Sequence, residues 1–187
     1  MANCPTLQHY IAGEQCMENL AGMGEVVYAF ERKDVGASDL TRTNETYTLA
    51  ARPSFKLYKF ECKRESQQIQ GESQGPRKGF IITSNFVIEA VDAVSSRIAR
   101  ALNNLDLGFI IPGDGEYQIL YDPNKKCQIE SGGLTSDTGA AAGDDRQTAV
   151  SVKLGPVPYP NLFLDITAVT GGLDSLLASS SSSSSSE

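Results

Sequence analysis

Ser73, in Gly71-Glu72-Ser73-Gln74-Gly75, is the nearest approach of this chain to a catalytic motif, because GxSxG spells the nucleophile elbow of a hydrolase. An elbow requires a buried strand before the serine, a helix after it, and a histidine base further along. Here Gln67, Gln68 and Gln70 come first, Pro76, Arg77, Lys78 and a strand-like run follow, and the one histidine, His9, lies upstream. The stretch reads as a hairpin turn. Asp144 and Asp145, followed by Arg146, would serve a divalent cation or acid–base chemistry only if further carboxylates converged on them. Their local reading is an acidic loop in which Arg146 pairs nearby. Asp114, in Pro112-Gly113-Asp114-Gly115, reads as a tight turn, and neither site has the spacing of a calcium loop.

The remaining candidates are weaker. His9 beside Tyr10 could begin a ligand pair, yet a lone histidine is more often an ordinary side chain. Cys4, Cys16, Cys62 and Cys127 are far apart and form no CxxC pair, which excludes a zinc finger. A chain of 187 residues can bury a core without disulfides, so reduced thiols are expected. Asn44-Glu45-Thr46 is a glycosylation sequon in spelling alone. No catalytic, cofactor or metal set assembles, and the expectation is a protein that is not an enzyme.

Sixteen Lys and Arg against 23 Asp and Glu give a net charge of -7, which would repel a phosphate backbone and disfavours sequence-reading of nucleic acid. No run approaches the roughly 18 apolar residues of a membrane span. The first residues carry neither an early positive charge nor a long apolar run, so no secretory signal is expected and the product should remain in the cell that makes it.

The elements that must position these residues are mostly strands. Alternation or compact apolar runs predict strands over 24–30, 54–62, 79–90, 116–121, 125–130, 148–154 and 162–166. In 54–62 the phase switches between Leu57 and Tyr58, which suggests a bulge. In 79–90, Phe80, Ile82, Phe86 and Ile88 share one face, and the start of the run is apolar on both. One helix is expected over 93–105, capped by Asp92, with Val94, Ile98, Ala101, Leu102 and Leu105 inward, Ser95, Ser96, Arg97, Arg100 and Asn104 outward, and Gly108 at its C-terminal cap. The expected fold is mainly β (α+β): a β-sandwich or partly open barrel with one flanking helix. One domain should cover 1–177 with an N-terminal extension over 1–23. The serine-rich end, 178–187, should be a disordered tail. Segments 31–44 and 131–146 read as unusually long polar loops.

The run Phe60 to Gly75 resembles phage and prophage structural proteins, as do Lys78-Gly-Phe-Ile-Ile-Thr-Ser-Asn-Phe86, Arg100-Ala-Leu-Asn-Asn-Leu-Asp106 and Tyr117-Gln-Ile-Leu-Tyr-Asp-Pro123. Among these the chain is most similar to tail tube subunits of long-tailed bacteriophages, over roughly 21–177. The resemblance implies a small β-sandwich with one helix that forms homo-oligomeric, hexameric rings. These would stack into a virion tail tube, made in the host cytoplasm, contacting other tail proteins and passing DNA through an acidic lumen without reading its sequence. With it, Phe80, Ile82, Phe86, Asp137, Asp144, Asp145 and Arg146 are the expected oligomer-interface residues. The strand 79–90 would be shared between neighbours, and the Gly-rich loop would reach the next ring. A tail terminator, a head–tail connector or a non-viral ligand-binding sandwich are the alternatives.

Overall fold

The computed structural model describes residues 25–76, 78–89, 91–113, 115–139 and 146–178. His9, Cys4, Cys16, Arg77, Asp114, Asp144, Asp145 and the serine run therefore lie outside the described residues. Among the described residues twelve strands, β1 (Val26–Glu31), β2 (Leu40–Thr43), β3 (Thr46–Leu49), β4 (Tyr58–Glu61), β5 (Gln68–Ser73), β6 (Phe80–Ile88), β7 (Leu107–Pro112), β8 (Tyr117–Leu120), β9 (Cys127–Gln128), β10 (Leu134–Asp137), β11 (Gln147–Val157) and β12 (Phe163–Asp165), accompany one α-helix, α1 (Ala93–Asn104), and two short 3-10 turns. They form two sheets. The larger runs β2-β3-β12-β8-β7-β1-β4, and the smaller runs β10-β11-β6-β5 with β9 also on β11. Every pairing is antiparallel except β12 with β3. Past β4 the chain crosses to the small sheet, where Cys62 bridges Ile88 and Lys63 N–H donates to the Val87 carbonyl, so the sheets join at one corner without closing a barrel.

The core follows from alternation. Strand β7 is buried on both faces, which is why Leu107-Gly-Phe-Ile-Ile111 reads as an uninterrupted apolar run. Phe109 meets Phe86 of the small sheet, with ring centroids 6.1 Å apart. On the other face Phe30 stacks on Phe55 at 4.7 Å and approaches Tyr121 at 5.7 Å. That second face is covered by irregular chain: Leu57 is bridged to Leu177, and the Tyr28 hydroxyl donates to Asp174 at 2.9 Å. No bulge is recorded between Leu57 and Tyr58. The phase changes there because Leu57 belongs to this covering layer while β4 begins at Tyr58.

Several expectations need correction. Gly108 does not cap α1. It lies within β7, paired with Phe30, and a Cβ there would sit 2.4 Å from the Phe30 ring. Segment 31–44 is not one loop, because β2 occupies its end and forms a hairpin with β3 through Asn44, whose φ is +57°. Segment 131–146 likewise contains β10. Ser95 is buried, not outward: it completes a capping box in which the Asp92 carboxylate accepts from Val94 and Ser95 N–H, and the Ser95 hydroxyl accepts from Asp92 N–H. Val94 and Leu105, expected inward, are exposed. Among the described residues no helix is long and apolar enough to cross a membrane.

Candidate assembly surface

The small sheet carries the described residues expected at an interface, with Arg146 just before β11, but it holds them apart. Ile82 and Phe86 are each 1% exposed and belong to the subunit's own core. Their strand, β6, is paired with β5 on one side and β11 on the other, so it has no free edge to share. The apolar pattern of residues 79–90 marks a central strand, and the shared-strand expectation fails for that reason. Phe80 differs. It is half-buried at the start of β6 and lines an open hollow of mixed polarity with Pro76, Pro156, Val157, Pro158, Ser73 and Lys78.

Asp137 and Arg146 lie at the opposite end. Asp137 closes β10 and is paired with Gln147, the first residue of β11, and Arg146 immediately precedes it, so the two stand where the chain leaves β10 and enters β11. The Asp137 carboxylate accepts from Gly139 N–H at 2.9 Å. Strand β11 then runs to Val157, opposite Phe80. With a rise of about 3.3 Å per residue, these strand ends and the Phe80 hollow are about 30 Å apart.

The GxSxG stretch has a structural explanation. Gly71, Glu72 and Ser73 are the end of β5, paired with β6, and the turn itself comes later, where Gln74 N–H donates to the Gly79 carbonyl. Gly71 is required because the Pro160 carbonyl oxygen passes where its Cβ would be, 2.1 Å away. The Ser73 hydroxyl accepts from Gly75 N–H at 3.3 Å. No strand–turn–helix elbow surrounds it.

One constellation escaped the sequence. Arg32 and Arg42 project toward Tyr121 and Tyr47 around a cleft of about 650 Å³ also lined by Val35, Leu40 and Pro123. Arg32 donates to both Asp106 oxygens at 3.1 Å and to the carbonyls of Asp122 and Pro123. Arg42 pairs with Asp122 at 3.3 Å and lies over the Tyr159 ring. Burial would raise the Asp106 carboxyl, but Lys126 and Arg32 outweigh it and hold the group below its ordinary value. Arg32 Nε is buried without a hydrogen-bond partner. The signal was the Thr-Arg-Thr-Asn-Glu-Thr-Tyr hairpin, whose polar residues hid two strands. Beyond it, among the described residues no group of three or more His, Cys, Asp or Glu could hold a metal ion. Cys62 and Cys127 are free thiols that burial pushes up to about 11 and about 12, respectively.

No family model, curated protein or solved structure matches this chain.

Proposed function

We propose that this chain is a structural subunit that assembles into stacked rings, of the phage tail-tube kind, forming a conduit for DNA. The observation that carries the reading is the pair of unlike surfaces at opposite ends of β6 and β11. Asp137 and Arg146, at the strand ends that the polar sequence 138–146 connects, stand at one end, and an open hollow around Phe80 and the prolines, with Ser73 and Lys78 also in its lining, at the other. Unlike ends suit subunits stacked head to tail, because such contacts repeat without closing on themselves. The net charge of -7 would let DNA slide along a lumen without adhering. In this reading Ser73 is no nucleophile, and Ser73→Ala leaves assembly intact.

Replacing residues 138–146 with a two-residue Asn-Gly turn joins β10 directly to β11. The variant is expected to keep the wild-type circular dichroism spectrum and to lose stacking in sedimentation and electron microscopy. Stacks of unchanged length would contradict the role given to the loop. A second reading, a ligand-binding sandwich, has the Arg32–Arg42 cleft in its favour, since Arg32 Nε lies there without an acceptor. Most guanidinium hydrogens there are already committed to Asp106, Asp122 and backbone carbonyls, which leaves little for a ligand.

A further inference from the structure

Helix α1 is the least integrated element of the small-sheet side. Its fully buried residues are Ser95 and Leu102, and it packs beside β10. The large hydrophobic side chains left exposed among the described residues are Tyr58, Val94 and Leu105. Two of the three therefore flank this one helix. Val94 and Ala101 lie along the same flank at helical spacing, Leu105 follows at the cap, and the exposed Arg97 and Arg100 border them. The helix carries two arginines and no acidic residue, in a chain whose net charge is -7. An apolar strip with a cationic border is a surface in want of an acidic, partly apolar partner.

Such a surface exists on the chain itself. Glu25, Glu61 and Glu89, all exposed, surround a cleft of about 340 Å³ with Val26 and Cys62 in its lining; Glu25 pairs with Arg64 at 3.6 Å, which leaves Glu61 and Glu89 to give the cleft its charge. It gathers the ends of β1, β4 and β6, where the two sheets join. We propose that the α1 flank of one subunit docks against this glutamate-lined cleft of a second copy. Arg97 and Arg100 would meet Glu61 and Glu89 at the rim while Val94 and Leu105 cover Val26. The contact joins unlike patches, as ring-closing interfaces do. The inference rests on the assembly reading and names the lateral contact that reading leaves open.

Two full-length variants test it. One carries Arg97→Glu and Arg100→Glu, and the other carries Glu61→Arg and Glu89→Arg. All four positions are exposed, and circular dichroism checks that each variant folds. In sedimentation velocity each variant alone should self-associate at least about tenfold more weakly than wild type. An equimolar mixture should recover wild-type association, because each reversed helix then faces a reversed cleft. Recovery on mixing can arise only between molecules, so it excludes a contact within one chain. Val94→Gln with Leu105→Gln should weaken association without rescue by either charge variant. Wild-type association by both charge variants, or folded variants that fail to recover on mixing, would overturn the docking while leaving the ring reading standing. A wild-type chain that does not associate at all would overturn both.

Discussion

Asp39 shows how a single buried carboxylate organises a segment. It is 6% exposed and accepts hydrogen bonds from Gly36 N–H, Ser54 N–H and the Ser54 hydroxyl, tying the approach to β2 to the chain that leads into β4. Burial would raise its carboxyl, and these three donors together hold it below its ordinary value. Asp39→Ala strands the donors and should cost about 1–3 kcal/mol in denaturant unfolding. A loss near zero would mean that water replaces the carboxylate freely. Gly108 sits under the Phe30 ring, so Gly108→Val must displace the Phe30–Phe55 stack. A cost of about 1–3 kcal/mol is expected, measured the same way. The thiols of Cys62 and Cys127 stay protonated at neutral pH. Alkylation at these two positions should therefore be slow in the native protein and rapid once it is unfolded.

At the scale of elements, α1 depends on its start. Asp92→Ala removes the acceptor of Val94 and Ser95 N–H, and should cost about 1 kcal/mol, read as a lower unfolding midpoint with little change in helix content at low temperature. This helix was legible in the sequence because Asp92 and the apolar spacing agree, and so were β1, β6, β8, β11 and β12, whose buried faces impose alternation or a continuous apolar run. Strands β2, β3, β5, β7 and β10 fall outside the expected strands, and β7 is hidden because Gly108, its second residue, reads as the cap of the preceding helix. Strands β2, β5 and β10 are sheet edges with mostly exposed side chains, so little burial writes a pattern into them. Arg42 on β2 even spends its charge over Tyr47 and Tyr159, where an apolar residue would have announced a strand. The apolar strand 79–90 misled because a central strand and a shared strand carry the same composition, and only its two neighbours, β5 and β11, distinguish them.

For the whole molecule, the titrating groups define a window of stability. Asp39, Asp92, Asp106 and Asp165 all have folded values below their ordinary ones. Their contribution is complete above the unfolded carboxyl range, about 4, and is lost as pH falls through the lower folded values. Cys62, Cys127 and Tyr28 are raised, to about 11, 12 and 12. What they contribute is complete below their unfolded values, 9.0 for a thiol and 10.0 for Tyr28, and disappears as pH rises through the folded ones. Thermal unfolding should therefore show a plateau between about pH 5 and 8.5, with declines on both sides. A midpoint that rises below pH 4 would contradict the carboxylate assignments. The proposed ring assembly requires that this chain associate with copies of itself. Sedimentation velocity of the full-length chain over a wide concentration range, with electron microscopy of the same samples, tests it most directly. The account predicts closed rings that stack end to end as concentration rises, and a chain that remains a monomer at the highest concentration would contradict it.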